Sequence, residues 1–284
     1  MSELRPDQSM ISCLDNVRRM DHDRYLTALL APSPARGKLI ALYAFNAEIA
    51  RVREMVSEPM LGQIRLQWWR EALEGIAQGE VRGHEAAVGL AEAFSAEDLD
   101  VAGLTALIDA RERDLDDEPF ADMTALNEYC SKTSSGLMRL AARALSPHGV
   151  ADDIIDNAGI GYALTGLLRA LPVHASQGRL YLPLDLLGQH NVDPHTIFAG
   201  EMSDGLRAII GVVAAEARER LKAARAVSPN APRNVLAALW PASLCDAYLD
   251  RITAPGFDPF RQAVEVPVFR RQLRLLGRKF AGRF

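Results

Sequence analysis

The sequence contains few of the residues that mark disulfide-linked or cysteine-based metal-binding domains. Its three cysteines, Cys13, Cys130 and Cys245, lie far apart with no Cys-x-x-Cys spacing. This pattern excludes a disulfide framework and a cysteine-rich zinc site, and it is typical of a reducing compartment. The six histidines show no His-x-x-x-His spacing. We expect each cysteine to act as a small apolar residue.

A long apolar run and an excess of positive charge are also missing. The longest uncharged helical stretch, residues 158–168, is far shorter than the roughly 20 residues that cross a bilayer. The first twenty residues carry acids and no apolar run, so no secretory signal is expected. A net charge of -5 gives no general attraction to nucleic acid. We therefore expect a cytoplasmic protein, soluble or peripheral on the inner face of the membrane.

Apolar residues recur at helical spacing along almost the whole chain, in runs rich in Ala, Leu, Glu and Arg. The pattern predicts an all-α fold, and the absence of a long linker favours one helical-bundle domain over residues 1–284. Pro-rich or Gly-rich turns at 32–34, 118–119, 146–149 and 228–229 separate the runs. The predicted helices cover residues 9–30, 37–56, 60–78, 85–94, 96–115, 123–145, 152–171, 184–188, 194–199, 202–226, 235–252 and 268–280.

Residues 163–183 read ALTGLLRALPVHASQGRLYLP. The turn from Gly178 to Pro183 resembles that of the squalene/phytoene synthase family, in which an Asp-x-x-x-Asp helix runs into Gly-Arg-(Ile/Leu)-Tyr-Leu-Pro. Two carboxylates four residues apart share one helix face, where they can hold Mg²⁺ against a diphosphate. Arg169 matches the family arginine, but Ala170 and His174 occupy the positions of the two aspartates.

Neither replacement suits a magnesium site. Ala170 offers no ligand, and the imidazole of His174 is better suited to zinc or copper. Pro172 lies between them, and a proline inside a helix removes a hydrogen bond and clashes with the preceding turn. The resemblance therefore implies that this metal motif is lost.

The first family signature is altered in the same way. Tyr43-Ala44-Phe45 matches the helix that leads into an aspartate-rich motif, but the first acidic pair falls on Ala50 and Arg51. Only the later acid is kept, as Glu54. The fixed positive charge of Arg51 repels a divalent cation and is suited to a phosphate. The resemblance implies that both halves of the metal site are missing.

Further matches extend the resemblance over residues 23–192. They include the Trp-Trp-Arg-Glu-Ala-Leu helix at 65–73, the Asp114-Leu115 pair and the central helix with Tyr129, Thr133 and Gly136. The resemblance implies the isoprenoid synthase type of helical bundle, with a central cavity, no catalytic residue and no metal ligand. The residues that it implies as a remnant substrate site are Tyr43, Arg51, Arg53, Glu54, Tyr129, Thr133, Arg169, Arg179 and Tyr181.

Two acidic clusters lie outside these motifs. Asp152-Asp153-Ile154-Ile155-Asp156 has the Asp-Asp-x-x-Asp pattern of magnesium-binding prenyltransferases, but it follows a turn directly. Acids are favoured in the first turn of a helix, so we interpret the cluster as a helix start, with metal ligation as the alternative. The cluster at 114–118 lacks the glycine turn of a calcium loop and is interpreted as a solvated helix end.

Residues 268–284 form a basic amphipathic segment with six cations and no acid, interleaved with apolar residues. Such a segment is suited to an anionic membrane surface or to a protein partner. The alternative is a terminal helix that packs its apolar side on the bundle and leaves its basic side in water.

The replaced motifs resemble those of the branch of this family that contains assembly factors of respiratory complex I and their bacterial relatives. This resemblance implies a catalytically degenerate protein without a cofactor, which binds a complex I subunit or assembly partner. Two alternatives stay open. One is a prenyltransferase that condenses two prenyl diphosphates with Mg²⁺, and the other is a metal-independent protein whose arginines, Arg51, Arg53, Arg169 and Arg179, bind a prenyl diphosphate or lipid.

Overall fold

The computed structural model describes residues 6–116, 118–146, 151–228 and 231–284. Within these ranges the chain forms helices and no strand, which confirms the all-α fold. Asp117 and the turn residues 147–149 and 229 lie outside the described residues. The α-helices are α1 (Pro6–Met20), α2 (His22–Leu30), α3 (Ser33–Ala50), α4 (Pro59–Ala77), α5 (Glu85–Ala93), α6 (Val101–Glu112), α7 (Met123–Cys130), α8 (Gly136–Leu145), α9 (Asp152–Ser176), α10 (Leu184–Gln189), α11 (Pro194–Phe198), α12 (Asp204–Val227), α13 (Leu236–Leu239), α14 (Cys245–Ile252) and α15 (Val268–Ala281).

Contacts divide the chain into two compact units. Unit 1 consists of Met1–Asp116, Gly136–Val150 and Pro232–Ala238, and unit 2 consists of Asp117–Ser135, Ala151–Ala231 and Leu239–Phe284. Each unit is therefore assembled from segments that are distant in sequence. The single domain over residues 1–284 stays a prediction.

The core of unit 1 is built around α3, which contacts α1, α5 and α8. Every residue from 39 to 49 is buried, because the helix is apolar on nearly all sides. Asn46 and Glu48 are the polar residues in this buried stretch. A buried carboxylate requires partners, so Glu48 marks a place where side chains from other helices must converge.

The core of unit 2 is the contact between α9 and α12. Two glycines of α9 allow neighbouring segments to approach closely. A Cβ atom at Gly161 would lie 2.7 Å from Leu221 Cγ on α12, and one at Gly159 would lie 2.5 Å from the Cα atom of Ser135. Both distances are under 3.0 Å, so a side chain at either position would require the neighbouring atoms to move.

Several predicted helices are divided in the structure, and two of the divisions have a clear local cause. The helix predicted for residues 9–30 ends at Met20, and a second one starts at His22, because the Asp21 carboxylate accepts the Arg24 N–H at 2.9 Å as an N-cap. The helix predicted for residues 235–252 is interrupted by a 3₁₀ turn, Trp240–Leu244. Pro241 supplies no backbone N–H there, which favours the break.

The two acidic clusters have different outcomes. Helix α9 begins at Asp152 with Asp153 in its first turn, which confirms the helix start. The prediction of a solvated helix end at 114–118 is wrong for Asp114, which is only 6% exposed. Its carboxylate pairs with Arg111 at 3.1 Å, because a charge this far from water needs an opposite charge beside it.

The cysteines agree with the expectation, since Cys13, Cys130 and Cys245 are all free and buried. Among the described residues, no helix is both long enough and apolar enough to cross a membrane.

Candidate functional site

The predicted site residues belong to both units. Unit 1 contains Tyr43, Arg51, Arg53 and Glu54, and unit 2 contains Tyr129, Thr133, Arg169, Arg179 and Tyr181.

In unit 1, Tyr43 is buried in the middle of α3, with 3% of its surface exposed. The guanidinium carbon of Arg24 lies 5.6 Å from the centre of its ring, close enough for a cation–π contact. Burial raises the pKa of the Tyr43 phenol, and Arg24 opposes this shift. Tyr43 is therefore a neutral core residue that fixes the position of Arg24, which also pairs with Asp21 at 2.7 Å.

Three polar side chains from three parts of unit 1 converge on the Glu48 carboxylate, which is 8% exposed. Asn16 Nδ2 of α1 donates to Oε1 at 2.7 Å, and Arg51 Nη2 lies 3.0 Å from the same oxygen. His84, which precedes α5, places Nε2 3.9 Å from Oε2. Arg51 is thus ion-paired with a buried carboxylate from its own helical turn.

His84 caps α5 and packs against two tryptophans. Its Nδ1 accepts the Ala86 N–H at 3.2 Å, so the ring proton of the neutral form is on Nε2, towards Glu48. The ring lies 4.8 Å from that of Trp69 and 5.6 Å from that of Trp68. Burial lowers the pKa of His84 and outweighs the opposing effect of Glu48 and Glu85, so the imidazole is neutral at pH 7.

We expect His84 to make the protein less stable in acid. A histidine whose pKa is lowered by folding contributes stability above its unfolded pKa of about 6.5, and this contribution is lost as the pH falls. The groups that influence the imidazole are Glu48, Glu85 and Arg51. Between about pH 7.5 and about pH 5.5, the melting temperature of the wild type should fall further than that of His84→Asn, which keeps an N-capping side chain. Equal losses would contradict this assignment.

The remaining predicted site residues of unit 1, Arg53 and Glu54, follow α3 in a 3₁₀ turn, Val52–Met55. Arg53 Nη1 donates to the Val56 carbonyl at 3.4 Å, and Glu54 is exposed. Trp69 is 4% exposed and belongs to the core of unit 1. Trp68 is half-buried, with the Arg82 guanidinium carbon 5.5 Å from its ring centre.

In unit 2, an aromatic cluster brings together three of the predicted residues. The ring centres of Tyr129 and Tyr181 are 6.1 Å apart, and Phe120 lies 5.1 Å from Tyr129. Arg179 donates a hydrogen bond to the Tyr181 hydroxyl, and its guanidinium carbon lies 5.2 Å from the Tyr181 ring centre. His174 also contacts this cluster, with its ring centre 4.5 Å from that of Tyr181.

The Gly-Arg turn that precedes Tyr181 is the C-terminal cap of α9. The helix continues through Pro172 to Ser176, five residues beyond the predicted end at 171, so the prediction of a shorter helix is wrong. Gly178 has φ +67°. Its N–H bonds the Ala175 carbonyl at 3.0 Å, and the Arg179 N–H bonds the His174 carbonyl at 2.8 Å. This is a Schellman cap, which requires glycine and projects Arg179 and Tyr181 back beside His174.

His174 lies beyond the predicted end of this helix at residue 171. In the structure it occupies the last turn of α9 and contacts Tyr181.

Thr133 lies in a π-helical turn, Ser131–Ser135, which interrupts the helix predicted for residues 123–145. Its hydroxyl donates to the Tyr129 carbonyl at 2.8 Å and is buried. Side-chain bonds of this kind satisfy carbonyls that the widened turn leaves without their usual donor. Arg169 makes a cation–π contact with Tyr248, its guanidinium carbon lying 3.8 Å from the ring centre.

Three residues that the family resemblance places at metal positions offer no side-chain oxygen to Mg²⁺. Ala170 has no donor atom, His174 offers an aromatic nitrogen, and Arg51 carries a positive charge next to Glu48. Magnesium takes oxygen ligands and favours carboxylates. Within the described ranges, no group of three or more His, Cys, Asp or Glu side chains is arranged to hold a metal ion.

Sequence reasoning missed the Glu48 cluster. The signal that could have found it is a carboxylate within an eleven-residue run, 39–49, that is otherwise almost entirely apolar and is buried throughout. Its partners Asn16 and His84 are 32 and 36 residues away in sequence, and only packing brings them together.

The chain is similar to known proteins over most of its length. Residues 17–274 match the squalene/phytoene synthase family. NADH dehydrogenase (ubiquinone) complex I, assembly factor 6 of Rattus norvegicus is 31% identical over 261 residues, which cover 92% of this chain and 78% of that protein. The 15-cis-phytoene synthase of Synechococcus elongatus is 26% identical over 298 residues, covering 95% and 94%. A crystal structure of a dehydrosqualene synthase has the same fold, with a TM-score of 0.79, 16% identity and 97% coverage of each chain.

Proposed function

This chain belongs to the squalene/phytoene synthase family, and we propose that it acts in the assembly of respiratory complex I without prenyltransferase activity. Support for the assembly role comes from the similarity to the rat assembly factor, which extends over 92% of this chain. Support for the loss of activity comes from the side chains at the two metal positions.

The Arg51–Glu48 ion pair carries the second part of the proposal. A prenyl diphosphate can ionise only if cations neutralise the departing charge, and magnesium-binding carboxylates supply those cations. Arg51 occupies one such carboxylate position, and its charge is balanced by Glu48 at 3.0 Å. The pair has no net negative charge to attract Mg²⁺.

The residues at the two metal positions of α9 support the same proposal. Ala170 supplies a methyl group, and His174 packs its ring on Tyr181 at 4.5 Å. An imidazole in this contact contributes to packing of the α9 cap. The shape of the turn is explained by the Schellman cap at Gly178 and requires no ligand.

Incubation with prenyl diphosphates tests the loss of activity. Purified protein with farnesyl or geranylgeranyl diphosphate and Mg²⁺ should release no pyrophosphate above the rate without protein. A phytoene synthase assayed in parallel controls for the substrates and the metal. Steady release by this chain would overturn this part of the proposal.

A deletion strain tests the assembly role. Loss of the gene should lower the amount of assembled NADH dehydrogenase in membranes, and a plasmid copy of the wild type should restore it. Succinate dehydrogenase in the same membranes serves as the control for general damage. An unchanged amount of NADH dehydrogenase would contradict the assembly role whatever the pyrophosphate assay gives.

A metal-independent prenyl-binding function is the second candidate, favoured by the Arg179–Tyr181 pair in unit 2. Guanidinium groups bind phosphate without a metal. A ligand at 100 times its dissociation constant stabilises the folded state by about 2.7 kcal/mol. A rise in melting temperature with farnesyl diphosphate and EDTA, absent in Arg179→Ala, would support this candidate. Equal rises in both proteins would contradict it.

A further inference from the structure

The C-terminal helix α15 packs on the rest of unit 2 through a small apolar contact and through its arginines. Leu275 is fully buried, and Phe284, just after the helix, is 2% exposed. Arg274 donates to the Asp246 carboxylate, and Arg278 Nη1 donates to the Phe284 carbonyl at 3.3 Å. The alternative of a terminal helix with its apolar side on the bundle and its basic side in water is therefore met only in part, since Leu275 is buried but Arg274 faces Asp246.

The outer side of the helix carries a continuous apolar stripe. Its residues are spaced by four, three and four positions, so they lie on one face. The exposed fractions are high, reaching 84% for Phe280, and the neighbours Arg270 and Lys279 are also exposed. The α15 stripe consists of Phe269 (58% exposed), Leu273 (64%), Leu276 (38%) and Phe280 (84%).

Beside the stripe lies a pocket of about 350 Å³ at the start of α15. Four arginines line it, with one carboxylate, Glu265, and an apolar wall that includes Leu244 and Pro267. The arginines are Arg251, Arg270, Arg271 and Arg274. Arg270 belongs both to this pocket and to the edge of the stripe, so the two features form one surface.

We propose that this surface binds the protein to an anionic phospholipid membrane, with the α15 stripe in the acyl boundary and a headgroup phosphate in the arginine pocket. Exposed aromatic and leucine side chains flanked by cations are what an interfacial helix needs. Guanidinium groups in a partly apolar pocket match a phosphate attached to a lipid.

The positive charge of residues 268–284 favours an anionic membrane over a second copy of the chain. Residues 268–284 carry six cations and no acid. A second copy of the chain docked on the same face would bring these cations against each other, and like charges at an interface cost several kcal/mol. An anionic bilayer supplies both an apolar layer and the opposite charge. The proposal does not depend on whether the protein turns over or binds a prenyl diphosphate.

Vesicle flotation tests the proposal with the full chain. We expect the wild type to float with vesicles of phosphatidylcholine containing about 30 mol% phosphatidylglycerol, and to bind phosphatidylcholine vesicles at least tenfold more weakly. Raising the salt to about 1 M shortens the Debye length to about 3 Å and should weaken binding to the anionic vesicles. Equal binding to both vesicle types would overturn the proposal.

Two pairs of substitutions separate the apolar and charged contributions. Leu273→Ser with Phe280→Ser should weaken binding by more than about 30-fold, because each large side chain contributes on the order of tenfold or more when buried. Arg270→Gln with Lys279→Gln should weaken it by roughly 30-fold, since each surface cation contributes about fivefold. All four residues are exposed, so the fold should be kept.

The matched control removes exposed apolar residues from another helix. Met60 and Ile64 of α4 are 68% and 60% exposed. Met60→Ser with Ile64→Ser should float like the wild type, and a loss equal to that of the α15 variants would overturn the proposal. A wild-type dimer in solution that Leu273→Ser with Phe280→Ser converts to a monomer would also overturn it, in favour of a second copy.

Discussion

Gly159→Ala is expected to destabilise the protein by about 2 to 3 kcal/mol, the upper part of the range for overpacked cores. The added methyl carbon would lie 2.3 Å from Ser135 Oγ, 2.5 Å from Ser135 Cα and 2.7 Å from Ser135 N. Two of these atoms belong to the backbone of the π-helical turn, so no change of rotamer can relieve the contact. Ser135 also donates to the Asp156 carbonyl at 3.1 Å, which ties the turn to α9.

The control for this prediction is on the same helix. Gly166 is seven residues further along α9, and a Cβ atom there would meet nothing within 4 Å. Gly166→Ala should stabilise the protein by up to about 1 kcal/mol, because alanine favours a helix more than glycine does. Urea unfolding of both variants measures the difference, and a destabilised Gly166→Ala or an unchanged Gly159→Ala would contradict the packing argument.

These two glycines show what periodicity can and cannot predict. The spacing of apolar residues is enough to predict that residues 152–171 form a helix, and α9 indeed begins at Asp152. The same spacing does not distinguish Gly159 from Gly166, because the difference lies in the approach of Ser135. The π-helical turn escaped prediction for a related reason: an extra residue in one turn leaves the apolar pattern on both sides almost unchanged.

The candidate site also has parts that the sequence predicts and parts that it does not. The turn at Gly178 could be predicted because its residues are consecutive, and its cap is formed by bonds between residues at most five apart. The contact of His174 with Tyr181 depended on α9 continuing past Pro172, which helix propensity argues against. The Glu48 cluster depends on packing of α1 and the start of α5 against α3, and no local pattern contains that information.

The second large effect is expected for substitution of Asp246, whose carboxylate accepts a hydrogen bond from α15. Arg225 binds it with two nitrogens, at 3.0 and 2.9 Å, and Arg274 of α15 donates to the same group. Burial lowers the pKa of nearby Arg278, and Arg225 and Arg274 lower it further, which shows that cations are crowded here. Asp246→Asn leaves these charges without their carboxylate and should cost about 2 kcal/mol, less than the 3–5 kcal/mol of a fully buried pair.

Asp250 provides the comparison one turn later on α14. It pairs with Arg218 at 3.1 Å and is 75% exposed, whereas Asp246 is 27% exposed. Asp250→Asn should change the free energy of unfolding by less than about 0.5 kcal/mol. Asp246→Asn should also speed amide hydrogen exchange in residues 268–281, because α15 loses its main polar contact with unit 2. Equal effects of the two substitutions on unfolding, or unchanged exchange in α15, would show that Leu275 and Phe284 alone hold the helix in place.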